Sequence, residues 1–167
     1  MTRYIGLPIL LLAAVLNASV MPEMRLGNGA PDLVFMIVVS WALLADVNDA
    51  LLWAVFGGLL QDTLSVAPAG TSALGLVLVA FLADALFGDV RRTNLIIPPL
   101  VMGLGTVLYH AGVLLVLRLA GHVVPLGDAL ATVTLPTVIY HVLLSVPVFR
   151  TMGLLHDWLT PRRVRLE

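Results

Sequence analysis

Four titratable side chains interrupt apolar stretches that are each long enough to cross a bilayer: Asp62, Asp84, His110 and His141. A carboxylate in such a stretch costs several kcal/mol unless it faces a polar partner or water. Carboxylates and imidazoles at membrane depth can relay protons, bind a metal ion, or act as a catalytic acid and base. Two aspartates in neighbouring spans would also suit an aspartyl intramembrane protease.

The sequence around these residues argues against such chemistry. Neither aspartate lies in the Gly-x-Gly-Asp context of aspartyl intramembrane proteases. No phosphate-binding loop, dinucleotide fingerprint or His-Glu-x-x-His motif occurs. The absence of Cys excludes thiol nucleophiles, disulfides and thiolate metal sites. The sequence therefore predicts no enzyme, no cofactor and no metal site, although packing, partner binding and transport or catalysis all remain open as roles for Asp62.

The composition indicates an integral membrane protein. The 167 residues are 60% hydrophobic and 11% charged, and the mean hydropathy is +1.04, whereas a soluble domain is about half apolar and about a quarter charged. Repeated apolar runs predict an all-α bundle of spanning helices rather than a β-barrel. The net charge of −1 suggests no nucleic-acid partner.

Six transmembrane helices with short connections are predicted to form a single domain. Their approximate limits are 4–21, 31–45, 50–66, 72–88, 95–119 and 129–149, and a short basic cytoplasmic tail covers 157–167. Pro136 and Pro147 predict kinks in the last span. The first span could also be a signal peptide, but it is long and Asn17-Ala18-Ser19 is a poor cleavage site, so we predict an uncleaved helix.

The arginines predict that both termini are cytoplasmic. This orientation leaves only Arg25 and Arg118 on the outer side, in agreement with the positive-inside rule. The inner side receives Arg3, Arg91, Arg92, Arg150, Arg162, Arg163 and Arg165.

Small and polar residues form narrow stripes along the predicted helices. In the third span Gly57 and Gln61 lie on one row, and Gly58 and Asp62 lie on the next. Small residues let helices approach closely, and polar residues hydrogen-bond across the contact. The depth of each polar side chain in the membrane can be estimated from the helical rise of about 1.5 Å per residue. The estimate predicts two pairs of side chains at the same depth. They are Asp62–His110 and Asp84–His141.

The middle of the chain carries short motifs in a fixed order. Pro31-Asp32-Leu33 opens the second span, Gly57-Gly58-Leu59-Leu60-Gln61-Asp62 lies in the third, and Pro68-Ala69-Gly70 opens the next connection before Ser72-Ala73-Leu74-Gly75-Leu76. In order and spacing these motifs resemble the MreD family, the small polytopic subunit of the bacterial rod-shape (elongation) machinery. The length, the six spans and the short loops resemble the family along the whole chain, whereas the first span and the last two match it only in hydropathy.

The resemblance implies a non-enzymatic scaffold in the bacterial cytoplasmic (inner) membrane. MreD-like proteins work with the bitopic protein MreC, the filament protein MreB, and the glycosyltransferase–transpeptidase pair that builds lateral cell wall. The resemblance also implies a fold similar to the six-helix substrate-binding subunit of energy-coupling-factor transporters. The candidate structural or partner-contact residues are Pro31, Asp32, Gly57, Gly58, Gln61, Asp62, Pro68, Gly70, Asp84, His110 and His141.

The alternative function is a small-molecule transport subunit of the vitamin-binding kind. Such a subunit needs an outward-facing pocket with a few well-placed polar or aromatic groups. The longest outer loops, about 22–30 and 121–128, are short and contain no aromatic residue. The loops therefore favour the scaffold.

Overall fold

The computed structural model describes residues 2–65, 68–87, 96–122 and 125–160, which are helical apart from turns, short loops and one isolated β-bridge. The helices are α1 (Thr2–Ser19), α2 (Leu33–Ala42), α3 (Val47–Thr63), α4 (Thr71–Phe87), α5 (Ile97–Leu119), α6 (Leu126–Ala129) and α7 (Leu135–Leu159). A 3-10 turn covers Met21–Met24, and a π-helical segment, Leu130–Thr134, joins α6 to α7. By length and composition, two described helical stretches could cross a membrane. One is α5, Ile97–Leu119, and the other is Gly127–Leu159, which runs from α6 through the π-helical segment to the end of α7.

Helix α2 is short and lies at the centre of the bundle. Its 10 residues span about 15 Å, which is half of a hydrocarbon core about 30 Å thick. It packs against α1, α3, α4, α5 and α7, and the side chains of Phe35, Met36 and Trp41 are fully buried. The apolar character that predicted a span over 31–45 therefore reflects burial within protein rather than exposure to lipid.

Consecutive long helices run in opposite directions. Along α5 and α7, for example, Thr106 faces His141 and His110 faces Thr134, so one residue number rises as the other falls. The same reversal relates α2 to α3, α3 to α4, and α4 to α5. The bundle is therefore built from helices that alternate in direction along the chain.

Contacts of aromatic residues place the start of α1 and the end of α7 at the same end of this bundle. Gly6, near the start of α1, lies against Trp53. The Trp53 ring stacks on Trp41 with the ring centroids 4.3 Å apart, and Trp41 contacts His156 near the end of α7. The beginning of α1 and the end of α7 therefore share one layer. Helix α7 reaches Leu159, ten residues beyond the predicted limit of 149.

Pro136 shapes the start of the last helix. Its ring nitrogen carries no hydrogen and cannot bond to the carbonyl of Thr132 four residues earlier. That carbonyl instead accepts a hydrogen bond from the backbone N–H of Asn28, at 3.1 Å, in the loop between α1 and α2. The predicted kink at Pro136 is thus replaced by the π-helical segment, which anchors the loop leading to α2. Such π-helical turns within helices are frequent at functional sites.

Candidate functional site

Asp32 is the centre of a polar network at the N-terminus of α2. Its Oδ1 accepts hydrogen bonds from Asn17 Nδ2 at 2.6 Å and from the Phe35 N–H at 2.9 Å, and its Oδ2 accepts one from Gln61 Nε2 at 2.6 Å. The bond from Phe35 makes Asp32 the N-cap of α2. The carboxyl group only accepts, as an ionised carboxylate does, and the helix dipole favours negative charge at this end.

His141 supports the same helix start from α7. Its Nε2 accepts a hydrogen bond from the Asp32 N–H at 2.9 Å, and its Nδ1 lies 2.7 Å from Thr106 Oγ1. The Thr106 hydroxyl donates to the Met102 carbonyl, so its oxygen is left to accept from Nδ1–H. These bonds assign the neutral Nδ1–H tautomer to His141. The fully buried ring also stacks on Phe35, with centroids 4.8 Å apart.

In the structure Asp62, His110 and His141 bond to other partners, so neither predicted pair of side chains forms. His110 Nδ1 contacts Thr134 Oγ1 at 3.0 Å, and the Asp62 carboxylate bonds elsewhere. Both ring nitrogens of His141 are occupied by α2 and α5, so His141 does not pair with Asp84. Depth along separate helices was an incomplete guide because it does not determine which faces meet.

Asp62 joins the end of α3 to the start of α4. It lies one residue before the end of α3, where its Oδ2 accepts a hydrogen bond from the Gly70 N–H at 2.7 Å and its Oδ1 one from the Ser72 N–H at 2.9 Å. These donors belong to the first turn of a helix, which lacks intrahelical partners and attracts negative charge. Gly70 has φ +92°, a conformation suited to glycine, and the Thr71 N–H and hydroxyl both bond to the Pro68 carbonyl. Asp62 and this turn therefore form an architectural connection.

Substitution of Asp62 should reveal that connection. Asp62→Leu removes both acceptors and leaves two backbone N–H groups unpaired, so we expect it to lower the free energy of unfolding by about 2–3 kcal/mol. Asp62→Asn keeps one acceptor and should cost less. Thermal unfolding of the detergent-solubilised variants, followed by tryptophan fluorescence, measures the difference. Unchanged stability in the Leu variant would contradict the connection between the end of α3 and the start of α4.

The other predicted residues lie outside these two clusters. A Cβ on Gly57 would press on the Val34 side chain of α2, and a Cβ on Gly58 would overlap the main chain of Ala73 in α4. These glycines therefore set the close contacts of α3 with its two neighbours. Asp84 is half-buried near the other end of α4, away from the Asp62 turn.

A cavity of about 390 Å³ opens beside the Asp32 network. It is bounded by the ends of α1 and α3, the 3-10 turn, the loop before α2, and the π-helical segment. Pro31, Asp32, Gln61 and His110 line it, together with Arg25 from the loop after the 3-10 turn. The structure thus gathers four of the predicted residues around one space, with His141 directly behind Asp32.

Sequence analysis missed Asn17 and Arg25 as members of this site. Asn17 bonds to two residues at the start of α2. Its Nδ2 donates to Asp32 Oδ1, and its Oδ1 accepts a hydrogen bond from the Leu33 N–H at 2.8 Å. The available signal was a polar amide in the last turn of an otherwise apolar helix, which needs a partner in lipid. Arg25 offered no signal beyond its place in an outer loop.

The geometry of this site is suited to holding helices rather than to acid–base chemistry. The His141 imidazole bonds to the main chain of Asp32 and not to its carboxylate. Within the part of the chain that the structure describes, no three His, Asp or Glu side chains are grouped so that they could hold a metal ion.

Comparison with known proteins identifies the family. A family model described as rod shape-determining protein MreD matches residues 1–157, which include the Asp32 network, the cavity and the Asp62 turn. No curated protein and no solved structure matches the chain, so the expected likeness to energy-coupling-factor subunits gains no support. Because the match covers nearly the whole sequence, this chain belongs to the MreD family of rod shape-determining membrane proteins.

Proposed function

We propose that this protein is a non-enzymatic scaffold of the rod-shape (elongation) complex. It docks the transmembrane helices of an MreC-like protein and of the cell-wall glycosyltransferase–transpeptidase pair, with an MreB-like filament on the cytoplasmic side, and so supports lateral peptidoglycan synthesis. Membership of the MreD family supports a role in rod-shape determination. The observation that carries the scaffold role is that the acidic groups hold helix starts: Asp32 caps α2, and Asp62 binds the first turn of α4.

We further propose that the chain crosses the inner membrane six times with both termini cytoplasmic. The beginning of α1 and the end of α7 lie in one layer, which supports an even number of crossings. The exposed Arg25 lies at the opposite end of the bundle from the start of α1, as an outer loop requires in this topology. Five of the arginines that predicted the orientation lie outside the described residues, namely Arg91, Arg92, Arg162, Arg163 and Arg165.

The outer surface of the bundle suits contact with lipid and partner helices. Leu74, Leu104 and Leu143 are each more than 60% exposed on α4, α5 and α7. Such side chains can face lipid without cost. Lipid provides no hydrophobic drive for helix association, so a partner helix must gain its stability from close packing and hydrogen bonds. A rigid frame helps because it fixes the surface that a partner meets.

Co-purification with an MreC-like partner tests the scaffold function. We expect the tagged protein, expressed with an MreC-like protein and extracted in mild detergent, to capture it in a stoichiometric complex. A six-span membrane protein of another family with the same tag is the matched control. Failure to capture the partner in several detergents, together with saturable binding of a vitamin, would overturn the proposal in favour of the transport alternative.

A further inference from the structure

The cavity beside the Asp32 network contains opposite charges that do not neutralise each other. Arg25 and Asp32 both line it, and the described residues form no ion pair between them. The Asp32 carboxylate instead receives its hydrogen bonds from Asn17, Phe35 and Gln61. Separated charges on the walls of one cavity are complementary to a ligand that carries both signs.

Gln61 orients the Asp32 carboxylate at the wall of the cavity. Its Nε2 donates to Asp32 Oδ2, which fixes the amide so that Oε1 is the remaining atom. That oxygen is buried and accepts no hydrogen bond from the described residues. With almost no accessible surface, Oε1 does not face the space of the cavity. Asp32 Oδ2 accepts only the bond from Gln61, so it can take a further donor. The negative side of the cavity therefore suits a group with several N–H donors, such as a primary ammonium.

The size of the cavity suits a small polar group. Its volume of about 390 Å³ lies near the lower end of the ~300–1,000 Å³ typical of ligand pockets. It extends inward as far as His110, which precedes the last residue of α5 by nine residues, or about 14 Å of helix. A lipid headgroup with part of its glycerol fits this space, and the acyl chains would remain outside.

The cavity lies at a seam where acyl chains can remain in the bilayer. Helix α1 packs on α2 and α3, whereas α7 packs on α2 and α5, so α1 and α7 form the two edges of the bundle on either side of α2. Ala14 and Ala18 of α1 line one side of the cavity, and Val133 of the π-helical segment and Thr137 of α7 line the other. In the proposed topology the cavity lies between these two edges at the level of the outer leaflet.

We propose that this cavity binds the zwitterionic phosphoethanolamine group of a phospholipid. The ammonium donates to the Asp32 carboxylate, and the phosphate pairs with the Arg25 guanidinium. Arginine is well suited to this contact because its planar fork matches phosphate oxygens. The apolar walls contributed by α1 and the last helix accommodate the glycerol.

Lipid titration of the delipidated, detergent-solubilised full chain tests the proposal by native mass spectrometry. The probes are phosphatidylethanolamine, phosphatidylcholine and phosphatidylglycerol with identical acyl chains, and soluble glycerophosphoethanolamine. We expect phosphatidylethanolamine to bind about tenfold more tightly than phosphatidylcholine, because the three methyl groups of choline remove the N–H donors of one charge-assisted contact. Equal binding of the two lipids, or preference for phosphatidylglycerol, would overturn the proposal.

A pair of arginine variants locates the binding. Arg25→Gln should weaken phosphatidylethanolamine binding about tenfold by removing one charge-assisted contact. Arg118→Gln changes an arginine that does not line the cavity and should leave binding unchanged. Both side chains are exposed, so neither variant threatens folding. Equal binding by the Arg25 variant and the wild type would place the lipid elsewhere and overturn the assignment.

The soluble probe distinguishes the source of the ligand. Weak binding of glycerophosphoethanolamine beside tight binding of the lipid supports a membrane ligand held partly by its chains. If the soluble headgroup binds as tightly as the lipid, the lipid source is overturned and a water-soluble zwitterion takes its place.

Discussion

Replacing Asp32 with alanine is expected to lower the free energy of unfolding by about 3 kcal/mol or more, because bonds to a charged group contribute ~1.5–3 kcal/mol each. The change removes the acceptor for Asn17, Gln61 and the Phe35 N–H at once. It also removes the N-cap of a helix in which eight of the ten residues are buried. Thermal unfolding in detergent, read from tryptophan fluorescence, measures the loss.

Asp32→Asn should give an intermediate result. Asparagine is as good an N-cap as aspartate, and the Gln61 amide can turn to accept from the new amide, so much of the network survives without the charge. Asp128→Ala is the matched control, since Asp128 is an exposed carboxylate on a helix start. The prediction fails if the alanine variants at positions 32 and 128 lose the same stability.

Gly58→Ala is expected to separate α3 from α4 although it adds one methyl group. The new Cβ would overlap the Cα of Ala73 and crowd its backbone nitrogen, and a main chain cannot move aside as a flexible side chain can. Overpacking of this kind costs about 1–3 kcal/mol, and displacement of α4 would also strain the Asp62 bonds to the same helix start. Thermal unfolding and capture of the MreC-like partner should both decline.

Gly112→Ala is the matched control for this substitution. Gly112 lies within a helix as Gly58 does, but a Cβ there has no neighbour within 4 Å. The gain in helix propensity, about 1 kcal/mol, is common to both variants, so the difference between them isolates the clash. Equal stabilities would show that α3 and α4 do not approach each other as closely at Gly58.

The sequence predicted the class of fold from hydropathy because lipid and protein interiors select the same apolar side chains. For the same reason it overestimated α2, where the run from Leu33 to Ala45 gave no sign that it is surrounded by protein. Asp62 was assigned a place within the membrane because apolar residues follow it, whereas α3 ends at Thr63. Hydropathy registers polarity along a chain but does not distinguish a helix interior from a helix end.

The candidate site was predicted in its parts more than in its arrangement. The Pro31-Asp32 and Gln61-Asp62 motifs pointed to residues that the structure uses, yet they gave no indication that Asp32 rather than Asp62 is central. The bond from the Asp32 N–H to His141 joins residues separated by 109 positions. Such a contact depends on how five helices pack around α2, and no local pattern in a single sequence encodes that packing.

The separation between Asp32 and His141 also has a consequence for how the protein is made. At a synthesis rate of ~5–20 residues per second, roughly 5–20 s pass between the two residues. Throughout that interval α2 is a half-length helix, and the N–H of its N-cap residue, Asp32, lacks its final acceptor. The last helix therefore completes the support of the centre. We expect a chain halted before it to leave a core segment open to membrane proteases, so that arrival of α7 separates a degradable intermediate from the finished protein.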